Sequence, residues 1–331
     1  MGNELIVRPQ VPARYEPKTV SGVVFGRTPK TIAKRTTLMA VAALVLYFGV
    51  LGTALQRIDA NPDFTAPTPV EGGSRAVDMS AALIDREVQT HRWAPNDPVF
   101  FPTVFHDNMA NYQRGVMRAI SRFMLELETQ IGRLNGTSAI DRDLERATGL
   151  LQFPTDVWMF DFDQSFLPVQ PSDGQFRAAA QALRAYNARV ASQEAAFETR
   201  VDALVLTMER MTGEFGARAA VIDRHTRQTS RILNTQSDNV FYYNKGFSYA
   251  TYLLLKELGR DFDRVITQAG AEAGWAQMLE SLRNAAIQRP LVVLNSSGDD
   301  SFFANHLHMQ GFYLKRSLLQ MEQMVRVLRN A

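Results

Sequence analysis

The stretch SDGQFRAAAQALRAYNARVASQEAAFETRVDALVLTMERM, residues 172–211, decides the fold class of this chain. Ser172 followed by Gln175 is a capping-box pattern, which marks the beginning of a helix. Apolar residues then recur at helical spacing, and no further proline occurs before Pro290. Because proline breaks helix interiors, this long run without proline predicts long helices, the first of which covers residues 172–211.

Capping, glycine and proline signals on both sides of this stretch divide the rest of the chain into further helices. The predicted elements are helices at residues 79–93 with Ser80 as N-cap, 107–136 and 138–151, a run through Ile232 after a bend at Gly213 and Gly216, a helix capped by Asp238, a helix at 271–287, a short strand at 291–295, and a last helix from Asp299 or Asp300 to about Leu328. The apolar seam loses heptad phase between Val190 and Val201, which favours a globular bundle over a strict coiled coil. We therefore expect an all-α fold, an antiparallel helical bundle with minor extended segments.

The run TLMAVAALVLYFGVLGTAL, residues 37–55, predicts a transmembrane helix. Its 19 uncharged residues would form a helix about 28 Å long, which matches a bilayer core. Basic residues are concentrated before the run, so the N-terminus is expected in the cytoplasm and the bulk of the chain outside. A cleaved signal peptide is the alternative, since Gly52, Thr53 and Ala54 are small, but the leader and the apolar run are long for one, and an anchor is favoured.

These features divide the chain into four predicted parts. Residues 1–36 form a disordered, basic cytoplasmic tail, 37–55 cross the membrane, 56–77 form a flexible tether and 78–331 form the periplasmic helical domain. Residues 60–77 alone would extend roughly 60 Å at about 3.3 Å per residue. We therefore expect a domain that works away from the bilayer.

Charge and composition exclude several classes of function. Seven of the 36 basic residues and two of the 34 acidic residues precede position 37, so the remainder carries 29 basic and 32 acidic groups. A slightly acidic domain does not suit a nucleic-acid partner. The chain has no cysteine, and it contains neither the Walker pattern nor GxGxxG, so we expect no thiolate metal site, no nucleotide and no cofactor.

The motifs WAPNDPVFFPTVFHDNM, FPTDVWMF and NVFYYNKG all follow the single apolar run. In this combination the chain resembles an uncharacterised family of bacterial single-pass membrane proteins, known only as a domain of unknown function. The resemblance spans nearly the whole chain, from the apolar run to the last helix. It implies an inner-membrane protein that faces the periplasm, and it supplies no catalytic residues.

Two loops rich in aromatic residues and proline are candidate binding sites. The first, HRWAPNDPVFFP, contains Trp93, Phe100 and Phe101, and the second, FPTDVWMFDFDQSFLPVQP, contains Trp158. The sequence Asn-Asp-Pro in the first loop is typical of a turn, so a structural corner is the first expectation. Burial of Trp93 together with Trp158 would indicate a corner of the fold, and joint exposure would indicate a binding surface.

A basic stripe and two histidines are further candidates. Arg224, Arg227 and Arg231 follow i, i+3, i+7 spacing and could dock an acidic partner, an anionic glycan or phospholipid headgroups, although a solvated face is the more common role. His306 and His308 are two residues apart, which places them on different sides of a helix. We expect no metal site.

The sequence leaves two functions open. The favoured one is a non-enzymatic interaction or scaffold module of the cell envelope, with the bilayer contacted through residues 37–55 and an envelope protein as partner. The alternative is an envelope enzyme that acts on glycan or lipid with Asp161 and Asp163, because two carboxylates commonly cleave glycosidic bonds. Alternation of these acids with aromatic residues fits a solvated loop equally well.

Overall fold

The computed structural model describes residues 29–136, 140–160, 167–228, 235–288 and 306–331. Within these ranges all regular secondary structure is helical, which confirms the all-α fold class. The ten helices of the described residues are α1 (Pro29–Leu44, continued by the π-helical turns Val45–Leu51 and by Gly52–Ala54), α2 (Arg75–Asp85, continued by the π-helical turn Arg86–Thr90), α3 (Asn108–Asn135), α4 (Arg142–Leu151), α5 (Ser172–Ala191), α6 (Val201–Gln228), α7 (Thr235–Asp261), α8 (Asp263–Gln268), α9 (Glu272–Ala286) and α10 (His306–Arg329).

Neighbouring helices of the bundle run in opposite directions. Ser74, which begins α2, donates its hydroxyl to Asp261 at the end of α7 at 2.7 Å. Arg86, at the other end of α2, donates to the hydroxyl of Tyr249 earlier in α7 at 2.7 Å. Helix α1 is different, because Lys30–Ala54 is long and apolar enough to cross a membrane and is largely unburied. The predicted single apolar helix followed by an antiparallel bundle is therefore confirmed.

Helices α3 and α7 meet in backbone contact at the centre of the bundle. A Cβ atom on Gly115 would lie 2.0 Å from the carbonyl oxygen of Tyr243, and one on Gly246 would lie 2.0 Å from that of Tyr112. Only glycine allows helices to approach this closely. The rings of Tyr112 and Tyr249, 6.2 Å apart, fill the space beside this contact.

The predicted start of the first helix at Ser80 is wrong, and Ser172 begins its helix as predicted but does not cap it, because both serines bond elsewhere. Helix α2 begins at Arg75, and the Oγ of Ser74 accepts a hydrogen bond from the backbone N–H of Val77 at 3.2 Å. Ser80 lies inside this helix and donates to a backbone carbonyl one turn earlier. The hydroxyl oxygen of Ser172 accepts from the N–H of Val157 at 2.9 Å, so it holds the preceding loop instead of capping its own helix.

The helix predicted for residues 172–211 is divided into α5 and α6. The chain turns after Ala191, and Gln193 adopts a left-handed conformation with a φ of 62°. Tyr186 donates its hydroxyl to the carbonyl of Ala196 at 2.7 Å, which holds this turn against α5. Gly213 and Gly216 do not break the helix, because both lie inside the continuous helix α6.

The segment predicted as a flexible tether lies on the bundle. Ala60 is 2% exposed, and the carbonyl oxygens of Asp59 and Asn61 accept hydrogen bonds from Tyr112 and Tyr249, each at 2.7 Å. A buried tyrosine hydroxyl needs a partner, and this segment supplies two.

At the other end of the apolar run, residues 29–36 are helical and belong to α1, unlike the disordered tail predicted there. Proline is tolerated at the first position of a helix, so Pro29 does not prevent this. The predicted strand at 291–295 lies outside the described residues, and the side of the membrane assigned to each part of the chain stays a prediction.

We expect Gly115→Ala and Gly246→Ala to lower the free energy of unfolding by about 3 kcal/mol or more, because the added methyl group meets a backbone atom that cannot move aside. Gly213→Ala and Gly216→Ala are matched controls in α6, since no heavy atom lies within 4 Å of the added methyl group. These controls should raise the stability by about 0.5–1 kcal/mol. Denaturation of the full chain in detergent, followed by circular dichroism, measures both, and equal stability of all four variants would contradict the contact.

Candidate functional site

The C-terminal end of α1 packs against the first aromatic loop, which we define as residues 91–107. A Cβ atom on Gly52 would lie 2.3 Å from the carbonyl oxygen of Pro102, so the loop lies directly against the helix backbone. Beside this contact, Oγ1 of Thr53 lies 3.1 Å from Nε2 of His106. Small residues allow the same close packing between helices in membranes.

Gln56 joins the end of α1 to the start of α3. Its side-chain amide donates to the carbonyl of His106 at 2.8 Å, and its amide oxygen accepts from the backbone N–H of Met109 at 2.9 Å. Asp107, the N-cap residue of α3, makes no capping hydrogen bond with its own side chain. Gln56 therefore supplies the cap from another part of the chain, and the apolar helix is fastened to the bundle.

The π-helical turns of α1 contact the same loop nearer to the middle of the apolar run. The hydroxyl of Tyr47 donates to the carbonyl of Phe100 at 3.2 Å. The rings of Phe48 and Phe105 meet edge to face with their centroids 5.1 Å apart. Turns of π-helix are often found at functional sites, and this one presents two aromatic side chains to the loop.

Both aromatic loops expose large apolar side chains. The second aromatic loop, residues 153–171, is described except for 161–166. Trp158 joins the two loops, because its ring lies 5.7 Å from that of Phe100 and 5.3 Å from that of Phe160. We call the exposed apolar residues of the two loops the apolar rim: Val99, Phe100, Phe105, Met159, Phe160 and Leu167.

Trp93 has a different role from Trp158. Trp93 is 3% exposed, packs edge to face on Phe176 and donates its indole N–H to the carbonyl of Thr155 at 2.9 Å. Trp158 is half-buried and belongs to the aromatic contacts of the rim. The two tryptophans are therefore neither buried together nor exposed together: one fixes the corner and the other supports an exposed surface. Phe101 is half-buried, with the guanidinium of Arg92 5.2 Å from its ring centroid.

A buried ion pair lies where α2 ends, in the second π-helical turn. Arg86 and Glu87 are 6% and 0% exposed, and their Nη2 and Oε1 atoms are 2.7 Å apart. Burial lowers the pKa of Arg86, but the carboxylate of Glu87 together with the hydroxyls of Tyr112 and Tyr249 more than offsets this, so the pKa is raised and the guanidinium stays charged. Its Cζ also lies 4.6 Å from the ring centroid of Phe64, which holds the supposed tether in place. The ion pair is part of the core, and Arg86 also lines a cavity of about 150 Å³ beside Phe64, Asp85 and Arg184.

The other predicted site residues do not form a common site. Arg224 is exposed on α6, and Arg227 lies one turn further along the same helix. Arg231, Asp161 and Asp163 lie outside the described residues, so the predicted stripe and the predicted acids stay predictions. Among the described residues there is no group of three histidine, aspartate or glutamate side chains that could hold a metal ion.

Two surfaces were missed by sequence reasoning. Arg114 and Arg118 of α3 line a cavity of about 230 Å³ that Tyr243 also lines, and their i, i+4 spacing was visible in the sequence. On α10, Met309, Phe312 and Leu319 are 53%, 57% and 64% exposed. These three residues are separated by three and then seven positions, which was also visible in the sequence. The sequence predicted the helix but not which of its faces is exposed.

A family model described as "Uncharacterized protein conserved in bacteria (DUF2333)" matches residues 75–230 and 217–330. The chain belongs to this family. The resemblance expected from the aromatic motifs is therefore confirmed. In this DUF2333 protein the match begins at the first residue of α2, continues just beyond α10 and leaves α1 outside. No curated protein and no solved structure matches the chain.

Replacement of the two tryptophans should separate their roles. We expect Trp93→Ala to lower the free energy of unfolding by about 3–5 kcal/mol, because it removes a buried ring and leaves a cavity. Trp158→Ala should cost well under half as much, since its ring is already partly in solvent. Chemical denaturation of the full chain in detergent measures both losses. An equal loss of unfolding free energy for both variants would show that Trp93 and Trp158 do not have different roles.

Proposed function

We propose that this DUF2333 protein is a single-pass protein of the bacterial inner membrane whose helical domain lies in the periplasm and binds a helix of another envelope protein. The proposed role is that of an interaction or scaffold module and not of an enzyme. The observation that carries the proposal is an exposed seam on α10 that includes three large apolar side chains, on a bundle that is fastened to an apolar helix.

The contacts of α1 support an anchor over a cleaved signal peptide. Cleavage after Ala54 would remove Gly52 and Thr53, which pack on Pro102 and His106. A segment that is discarded after secretion does not need a built contact with the mature domain. The concentration of basic residues before the apolar run supports a cytoplasmic N-terminus.

The seam on α10 has the spacing of a helix-binding face. It consists of Met309, Phe312, Arg316, Leu319, Gln323 and Arg326, which alternate in steps of three and four residues. All six residues are exposed. An a/d spacing of this kind accepts the side chains of a second helix. The two arginines in the seam favour a partner helix that carries acidic residues, because charges of opposite sign fix the register.

The orientation is tested with single cysteines, since the natural chain has none. We expect a membrane-impermeant maleimide added to intact cells to label the Gln181→Cys variant, whose position is exposed on α5, and not the Asn3→Cys variant. Labelling of both variants after lysis is the control. Labelling of the Asn3→Cys variant alone in intact cells, or a mature chain that lacks residues 1–54, would overturn the assigned topology.

The partner is tested with a photo-crosslinking amino acid placed along α10 of the full chain in native membranes. We expect one discrete protein adduct from positions Met309, Phe312 and Leu319, because these positions face the proposed partner helix. Lys315 on the flank of α10 and Gln181 on α5 are exposed controls and should give none. Phe312→Asp should abolish the adduct at position 319 without a change in the melting temperature.

Three outcomes would contradict the proposed interaction. One is the absence of a discrete adduct at every seam position, and another is the same adduct from the α5 control. An adduct of twice the mass of the chain would identify a second copy of this protein in place of a different envelope protein.

A further inference from the structure

The apolar rim lies beside the middle of the apolar run of α1 and not at its end. Phe100 and Phe105 contact Tyr47 and Phe48, whereas the uncharged run continues to Leu55. Eight residues of helix separate Tyr47 from the end of the run, a rise of about 12 Å at about 1.5 Å per residue. A loop that touches α1 at this level lies below the surface of a bilayer that covers the whole uncharged run, residues 37–55.

We propose that the apolar rim is inserted into the outer leaflet of the membrane, so that the two aromatic loops form a second attachment of the domain to lipid. This rests on the membrane anchor of the proposed function. The apolar rim would contact the acyl chains of the lipids. A protein partner at the rim is the competing outcome, and the continuity of the rim with α1 favours lipid.

The distribution of exposed apolar side chains supports insertion. Among the described residues outside α1, nine large apolar side chains are exposed, and six of them belong to the rim. Val99 and Phe105 are 82% and 75% exposed, values that are unusual for residues of this kind in water. An exposed apolar patch of this kind marks a membrane or protein contact.

The first segment of the rim carries no charged side chain of the Asp, Glu, Lys or Arg type. None of these residues occurs in PVFFPTVFH, whereas Asp161 directly follows Phe160 in the second loop. The nearest acid before the first segment is Asp97, which is 10% exposed and paired with Arg92. The first segment itself can therefore enter an apolar medium without carrying a carboxylate, ammonium or guanidinium group with it.

Part of the backbone of the first loop has its hydrogen bonds satisfied within the protein. In hydrocarbon, backbone polar groups need partners within the protein. Proline at positions 98 and 102 removes two N–H donors. Short turns satisfy three of the others, through the hydrogen bonds Phe101 N–H to Pro98 O, Val104 N–H to Phe101 O and His106 N–H to Thr103 O. The carbonyl of Phe100 accepts from the hydroxyl of Tyr47 on α1.

The aromatic residues around Trp158 also support contact of the rim with lipid. Trp158 is half-buried between the rings of Phe100 and Phe160, next to residues whose rings point outward. Tryptophan and tyrosine are enriched at the level of the lipid headgroups, because their rings are apolar and their edges polar. Trp93, by contrast, faces inward and holds the loop in the shape that presents the rim.

Depth-dependent quenching tests the insertion in the full chain reconstituted into vesicles of phosphatidylethanolamine and phosphatidylglycerol. Single cysteines at Val99, Phe105 and Leu167, labelled with a small fluorophore, report on the rim. A label at Val45 of α1 is the positive control, and labels at Gln181 and Gln277, exposed on α5 and α9, are the negative controls. We expect lipids brominated on the acyl chain to quench the three rim labels by a fraction similar to that at position 45, and to leave positions 181 and 277 unchanged.

The outcomes separate the inference from the proposal on which it rests. Loss of quenching at position 45 would show that α1 does not span the vesicle membrane, and the proposed anchor would fail. Quenching at position 45 without quenching at positions 99 and 105 would overturn only the insertion of the rim. A discrete protein adduct from a photo-crosslinker at Phe105 in native membranes would also overturn it, because the rim would then be covered by protein.

Discussion

The backbone contact between α3 and α7 at Gly115 and Gly246 is the constraint on which the rest of the bundle depends. Because the two helices meet without side chains between them, the neighbouring tyrosines, Tyr112 and Tyr249, are forced into the core and are both 0% exposed. Burial raises the pKa of both hydroxyls, so they remain protonated donors at neutral pH. Donors in the core need acceptors, and the segment after α1 supplies them.

Further buried polar groups that need partners connect the core to the apolar helix. The carbonyl oxygens that satisfy the two tyrosines belong to residues 59 and 61, and the guanidinium that stacks on Phe64 is held by Glu87. A few residues earlier, Gln56 caps α3. The segment between α1 and α2 is thus held at several points by groups whose desolvation would otherwise be unfavourable.

Features that depend on local sequence were predictable. The ends of α3 were expected at Asp107 and Gly136, and the helix covers Asn108–Asn135, because apolar periodicity and a terminal glycine are both local signals. The fold class followed from the proline-free run for the same reason. The family resemblance followed from short motifs that the chain carries intact.

Features that depend on distant partners were not predictable. The hydroxyl of Ser172 bonds the loop at Val157, so a capping signal that is correct in isolation was misassigned. The amino-acid composition of the predicted tether did not indicate that two tyrosines of the bundle bind its backbone. Trp93 and Trp158 occupy similar sequence surroundings, but Trp93 packs on Phe176 and bonds to Thr155, which makes it part of the core.

The cap that Gln56 provides has a mechanical meaning. It joins two helices end to end through side-chain hydrogen bonds, with Thr53 and Gly52 locked against the loop beside it. A joint with contacts on several sides resists both bending and rotation, unlike a flexible linker. A change in the tilt of α1 would therefore reorient the whole bundle by a similar angle.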